Sequence, residues 1–331
     1  QAGLFDVSHM GQVVLTPRSG RFEDAALAME RLVPVNVAGL KAGRQRYGMF
    51  TNATGGILDD LMLANLGNAL FVVVNAACKT ADIAHMQAHL EDACVVEVLA
   101  DRALLALQGP AAEAALATVC EDTAAMKFMD VIETAVAGMP AIVSRSGYSG
   151  EDGYEISVLA DHAVDLAEAL VAHPAVEPIG LGARDSLRLE AGLCLYGSDM
   201  DEKTTPVEAS LNWAIQGVRR SDGARAGGFP GADVILAQLA AGPEKRRVGI
   251  LPEGRAPMRA GTALFADAHG DEPIGHVTSG GFGPSVGHPV SMGYVASAHA
   301  KTGTRIFAEI RGKRMAADVA TMPFITPTYK R

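Results

Sequence analysis

Two adjacent aspartates, Asp59 and Asp60, interrupt the otherwise apolar run Ile57-Leu58-Asp59-Asp60-Leu61-Met62-Leu63. In a strand, neighbouring side chains point to opposite faces. Leu58, Asp60 and Met62 then share one face, and Ile57, Asp59, Leu61 and Leu63 share the other. At least one carboxylate must therefore lie against buried surface, where an unpaired charge is expensive. Burial raises a carboxyl's proton affinity and suits it to proton handling or to gripping an N–H donor. The plain alternative is a pair that caps backbone amides at a turn, and residue type leaves both readings open.

Other candidates are scattered along the chain. The loop Gly147-Tyr148-Ser149-Gly150-Glu151-Asp152-Gly153 has glycines that allow sharp bends and a close backbone approach to a ligand. Glu151 and Asp152 are expected at its solvent-facing tip. Glu155, one residue into the following strand, is placed to point inward or to remain a surface glutamate. Arg184 and Arg188 stand one helical turn apart, either able to grip a carboxylate, with solvated helix charge as the alternative. Trp213, the single tryptophan, could stack on a flat heterocycle or fill a core. His9, His276 and His288 show no metal-ligand spacing, so no metal site is expected. Nor is there a serine nucleophile elbow or a Cys–His arrangement. The four cysteines form no CxxC pair and sit among apolar neighbours, which predicts buried reduced thiols.

These residues need elements to hold them. Periodicity predicts a helix over 22–33 and a hairpin of strands 57–64 and 70–74, turning at Asn65-Leu66-Gly67-Asn68. A helix capped by Thr80 should present Ile83, Met86 and Leu90 on one face. Strands at 94–98 and 103–107 lead to a helix opened by Gly109-Pro110. Strands at 131–136, 140–145 and 154–158 precede an Asp161-capped helix with Val164, Ala167 and Val171 aligned. A further helix spans 181–195. To about residue 240 the pattern is mixed α and β. From residue 245 to the last residue, 331, short alternating segments rich in Gly and Pro predict a separate all-β barrel or sandwich.

The bulk properties narrow the partners. A chain of 331 residues with 49% hydrophobic content supports more than one domain. The formal charge of -10 disfavours nucleic acid, and a small anionic ligand would need a local Arg or Lys cluster. No run of apolar residues is long enough to predict a membrane span, and no secretory signal opens the sequence.

Taken in order, the motifs resemble the T-protein family of glycine cleavage. The resemblance rests on Phe5-Asp6-Val7-Ser8-His9-Met10, Gly55-Gly56-Ile57-Leu58-Asp59-Asp60-Leu61 and Asn75-Ala76-Ala77-Cys78. It continues through Leu107-Gln108-Gly109-Pro110, Gly147 to Glu155, Arg184-Asp185-Ser186-Leu187-Arg188-Leu189-Glu190 and Thr204-Thr205-Pro206-Val207-Glu208. Thr278-Ser279-Gly280-Gly281 and Met292-Gly293-Tyr294-Val295 complete it near the end. Family members usually carry several tens of residues before the Phe5–Met10 motif, and this sequence lacks them.

The resemblance implies an α+β protein, with a mixed α/β folate-binding region of two subdomains over 1–240 and a C-terminal β-barrel domain over 245–331. It implies an aminomethyltransferase that moves a methylene carbon from the lipoyl arm of a carrier, the H-protein, to tetrahydrofolate, releasing ammonia. Asp60 matches the essential aspartate and Glu155 the glutamate on the pterin ring. Asn75, Tyr47 and Met10 match pocket-lining positions, Trp213 an aromatic wall, and Arg184 and Tyr329 residues around the folate. Arg247 matches an arginine at the cavity mouth, near the entering lipoyl arm. The compartment would be the cytoplasm of a bacterium or the mitochondrial matrix of a eukaryote. The nearest rival is a folate-dependent demethylase of the same superfamily, which would need no H-protein. A non-catalytic folate-binding module is a further rival, but its Lys-Gly-Cys motif is missing here.

Overall fold

The computed structural model describes residues 1–331. The first part of the chain forms β1 (Ala2–Asp6), β2 (Gly11–Pro17), α1 (Phe22–Met29), β3 (Arg44–Thr51), β4 (Ile57–Asn65), β5 (Leu70–Val74), α2 (Lys79–Leu90) and β6 (Cys94–Val98). Next come β7 (Arg102–Gln108), α3 (Ala112–Ala117), β8 (Val131–Val136), β9 (Met139–Ser144), β10 (Gly153–Leu159), α4 (Ala163–Val171), β11 (Val176–Pro178) and α5 (Leu181–Glu190). After a long irregular stretch and α6 (Ala232–Ala241) follow β12 (Lys245–Pro252), β13 (Ala263–Phe265), β14 (Pro273–Gly283), β15 (His288–Ala296), β16 (Arg305–Ile310) and β17 (Lys313–Ala320).

The strands make two open sheets and a barrel. One sheet has the order β3-β4-β5-β2-β6, and the second β11-β1-β7-β10-β9-β8. The closed barrel runs β12-β15-β14-β13-β16-β17. The α+β expectation with a C-terminal β-barrel is therefore borne out. The β4–β5 hairpin turns where Asn65 Oδ1 accepts from the Gly67 N–H at 2.7 Å, with Gly67 at φ 94°.

Each open sheet has one helix-covered face. Val13, Leu15, Leu61, Leu63 and Val72 pack beneath residues of α1 and α2, including Met29, Met86 and Leu90. Leu105, Leu107, Ile156 and Val158 pack beneath Leu116, Leu166 and Leu170 of α3 and α4. Burying a Leu or Ile side chain contributes about 1.5–3 kcal/mol, so these layers hold each sheet firmly. The opposite faces meet each other. Val73 of β5 packs on Phe5, Leu104 and Ala106, and Ser157 of β10 donates to Gln12 of β2.

Three local expectations fail for identifiable reasons. α4 starts at Ala163, two residues after Asp161, with His162 at its cap position; it buries Leu166 and Leu170, while Val164 points to solvent. The longer leucines at i, i+4 fill the layer better than the valine stripe does. α2 begins at Lys79 with Cys78 at its cap position, so Thr80 lies inside the first turn. α5 stops at Glu190 because Gly192 takes φ 67°, short of the predicted residue 195.

The barrel strands end at Ala320, and the last residues leave the barrel. Thr328 N–H donates to Gly150 O at 3.2 Å, and Phe128 N–H to Lys330 O at 2.7 Å. Lys330 Nζ reaches Glu113 and Ala124 O, both at 2.8 Å. The tail thus closes onto the second sheet's domain instead of completing the barrel domain predicted for 245–331.

Candidate active site

Alternation along β4 is visible in its burial, with Ile57, Asp59, Leu61 and Leu63 buried and Leu58, Asp60 and Met62 half-buried. The adjacent aspartates therefore face opposite ways. Asp59 is 0% exposed and lies on the helix-covered side, opposite Phe50 in register. Asp60 shares its face with Met62, which pairs with Tyr47 on β3 and Val73 on β5. Since Val73 packs on the second sheet, Asp60 stands on the face turned toward that sheet.

The glycines before the aspartates set their position. Asn52 Oδ1 accepts from the Thr54 and Gly56 N–H groups, and its Nδ2 donates to Glu202 O at 2.8 Å. A Cβ on Gly56 would overlap the Glu202 carbonyl, so only glycine lets residues 199–205 cross the start of β4 this closely. Gly56→Ala should therefore separate the two segments. The expected loss of stability is about 1–3 kcal/mol, as for overpacking, and thermal unfolding measures it.

Around Asp60, four elements converge. Asn75, at the end of β5, donates Nδ2 to Asp60 Oδ1 at 2.6 Å and to Asp59 Oδ1 at 2.9 Å, so one amide touches both carboxyls. Tyr47 faces Asp60 and stacks on Trp213, with ring centroids 5.3 Å apart. Trp213 is 59% exposed, which removes the core reading and leaves a free indole face. Burial, then the neighbouring Asp59, pushes the Asp60 carboxyl up to about 7, against the opposing pull of Tyr47 and Asn75. Burial next to Asp60 also raises Tyr47, which stays a neutral donor. Met10 directly precedes Gly11, whose register partner is Val74, so it lies beside Asn75.

Glu155 rises from the facing sheet. It is half-buried between Ala106 and Ser144 in register and accepts from Ser146 Oγ at 3.1 Å. It has no cationic partner. On the next loop, Tyr148 donates to the Cys194 carbonyl and lies under Arg184, whose guanidinium carbon is 4.7 Å from the ring centroid. Arg184 makes no ion pair, which leaves its donors free for an anion. Tyr329, brought in by the tail, stacks on Phe128 at 4.0 Å.

The two arginines of α5 part company. Arg188 is buried and pairs with Asp199 at 2.6 Å and with Asp185 at 2.7 Å. Asp199 also accepts from Thr278 and Ser279 of the barrel, and Tyr294 Oη donates to its carbonyl at 2.6 Å. Arg188 is an interdomain pin, not a solvated charge. Arg247, expected at a cavity mouth, is bonded to the backbone of neighbouring segments. It is 5% exposed, with Nε on Ala209 O at 2.8 Å and Nη1 on Gly192 O at 3.0 Å. Asp152, expected at a solvent-facing tip, ion-pairs with the buried Arg145.

Tyr148 carries no sequence signal of its own, since a tyrosine beside glycines is commonplace until the fold sets it under Arg184. A cleft of about 380 Å³ lined by Phe5, Gln108, Ile179, Ala183 and Leu187 opens elsewhere against α5, but none of the expected site residues line it. All four cysteines are free, three of them buried, and no group of metal-ligating side chains forms.

The chain matches known proteins along its whole length. Residues 1–218 match the GCVT N-terminal domain, and residues 245–325 match the glycine cleavage T-protein C-terminal barrel domain. Aminomethyltransferase, mitochondrial, from Dictyostelium discoideum is 42% identical over 100% of this chain and 84% of that protein. The Homo sapiens protein of the same name is 45% identical over 98% of this chain and 80% of its own. The crystal structure of glycine cleavage system aminomethyltransferase T from Bartonella henselae superposes with a TM-score of 0.91. It is 43% identical, and the match covers 100% of this chain and 88% of that one. A β4 carboxyl tuned near neutrality, a facing glutamate and a free arginine thus sit on a backbone shared at this level, and the chain belongs to the glycine cleavage T-protein family of aminomethyltransferases.

Proposed function

We propose that the space between the two sheet faces takes tetrahydrofolate as co-substrate and an aminomethyl group delivered on the lipoyl arm of an H-protein. The observation that carries this reading is Asp60, a carboxyl poised near neutrality on one face, opposite the unpaired Glu155 on the other.

The donor set fits the ligand. A pterin edge presents adjacent N–H and amino donors, which match an acceptor-only carboxylate such as Glu155. The exposed face of Trp213, backed by Tyr47, offers a flat ring a stacking surface. Arg184 is free to meet a folate carboxylate. Tetrahydrofolate supplies the nucleophilic nitrogens. As each C–N bond forms, a folate N–H proton must be removed. Over the reaction, one proton goes to the departing ammonia and one to the lipoyl sulfur. Ionised Asp60 accepts such a proton and passes it on, while Tyr47 and Asn75 hold its carboxylate in place. Holding both reactants in one space contributes up to about 7–11 kcal/mol in favourable cases.

The deciding experiment combines purified protein, tetrahydrofolate and aminomethyl-loaded lipoylated H-protein. Methylene-tetrahydrofolate and ammonia should appear in equal amounts, and none without the carrier. Product from a small methylated amine in the absence of H-protein would defeat the proposal. Glu155→Ala should weaken folate binding by about 1.5–3 kcal/mol, the range for hydrogen bonds to charged groups. Calorimetry showing unchanged affinity would remove Glu155 from the folate site.

A further inference from the structure

Behind Asp60, on the helix-covered side of the first sheet, a third aspartate is buried. Asp82 of α2 is 4% exposed and faces Asp59, which is 0% exposed; Cys78, which caps α2, donates its N–H to Asn75 O at 3.1 Å and so seats the helix's first turn beside that carboxyl. No Lys, Arg or His pairs with Asp59, Asp60 or Asp82. His85, one turn on, is kept neutral by burial. Two carboxyls in contact in such surroundings cannot both be charged, so they hold one proton between them.

The hydrogen bonds say where that proton is. Asp59 Oδ2 accepts from the Asn75 backbone N–H at 3.1 Å, and its Oδ1 accepts from Asn75 Nδ2 at 2.9 Å. Both Asp59 oxygens are acceptors. Asp82 Oδ2 is fully buried and accepts from nothing, which suits a carboxyl O–H donating to Asp59.

We propose that Asp82 is a positioning residue for the reaction: as a neutral acid it donates to Asp59, and Asn75, held by Asp59, in turn fixes the Asp60 carboxylate. The inner pair also sets Asp60's proton affinity, because Asp59 is the nearest negative charge to it. The other ionisable groups facing the three carboxyls are Tyr47 from β3, Tyr148 from the loop after β9, Cys78 at the head of α2, and Cys194 and Tyr196 after α5. Burial raises each of these five, so all stay uncharged near neutral pH and none damps the charge on Asp59.

Two measurements test this. The first is infrared spectroscopy of the intact protein without substrates at pH 8, where Asp60 is largely ionised. A protonated-carboxyl band is expected in the native protein and should titrate away only at alkaline pH, because burial and Asp59 push the Asp82 carboxyl well above the usual carboxylate range. It should be missing in Asp82→Asn. A native protein without the band, or a variant that keeps it, overturns the proposal.

The second is the pH profile of turnover, which rests on the reading of Asp60 given above. Asp82→Asn keeps an N–H donor and should leave the profile in place. Asp82→Leu removes the donor, concentrates charge on Asp59 and should move the acid limb up by about one pH unit. The loss would be roughly tenfold at low pH and recovered at high pH, at unchanged KM for folate. An unshifted Leu variant, or equal shifts in both, overturns the proposal. If Asp60→Asn is fully active while the infrared band behaves as expected, the reading of Asp60 fails and the Asp59–Asp82 pair stands.

Discussion

Asp60→Asn is expected to lower turnover by about 100- to 10,000-fold, the range for losing a general acid–base group. Folate affinity should change little, because the amide keeps the shape and the contacts to Tyr47 and Asn75 can re-form. In the native enzyme, turnover should fall on the acid side with a midpoint near pH 7, since burial and Asp59 hold the Asp60 proton to about that value. The variant should lose this limb. Rapid-mixing kinetics across pH 5.5 to 9, with aminomethyl H-protein in excess, separate the two profiles. Near-normal turnover with normal folate affinity would take Asp60 out of the proton path.

The same substitution should act on stability with the opposite sign. The folded-state pKa of Asp60 is raised, so between roughly pH 4 and pH 7 the folded protein binds more protons than the unfolded chain. Stability therefore declines as pH climbs through that window, and above it the full cost of a buried carboxylate is present. Asn escapes that cost. At pH 8 the variant should be more stable than the native protein by on the order of 1–3 kcal/mol, visible as a higher Tm. At pH 4 the difference should vanish. Such a trade of stability for function is the expected signature of a working carboxyl.

The second large effect lies at Arg188. Its guanidinium is buried against Asp199, itself inaccessible to solvent. Removing one partner leaves an uncompensated buried charge, which costs about 3–5 kcal/mol. Arg188→Ala and Asp199→Ala should each destabilise by that amount in denaturant titrations. Replacing both, as Arg188→Met with Asp199→Leu, should recover much of the loss, because no charge is left stranded. Equal losses in the single and double variants would mean that packing, not charge, dominates the joint. Thr278 and Ser279 share Asp199, so the single variants should also loosen the barrel from α5, detectable as faster amide exchange in β14.

The first sheet and its reactive carboxyl were legible in the sequence because a strand's period of two is a local property. Ile57 to Leu63 needs no distant partner to assign Asp59 and Asp60 to opposite faces. The hairpin beside it was readable for the same reason, since Asn65 and Gly67 carry their turn within themselves. Arg188 was not readable, because its burial depends on Ser279, 91 positions away. Nothing local distinguishes it from Arg184 one turn earlier. Trp213 was open between core and wall until Tyr47 from another element covered one of its faces. Asp82 carries no local signal, since an acid in the first turn of a helix is ordinary. Only the docking of α2 on β4 turns it into a buried partner of Asp59. Val164 takes the solvent side because the longer leucines of α4 fill the interior, a preference that apolar type without length does not reveal.

The returning tail has a mechanical consequence. The barrel leaves the α6 segment at Lys245, and the chain after Ala320 is tied to the second sheet through Thr328 and Lys330. Between these two ends the barrel is also fastened to α5 through Asp199, Thr278 and Ser279, so it is held at three places. A body fastened at three places out of line has no axis left to swing on, so the barrel is expected to move with the sheets as one piece. Tyr329 sits at the last of these fastenings with its ring on Phe128, so loosening the tail there would shift that ring before it shifts the barrel.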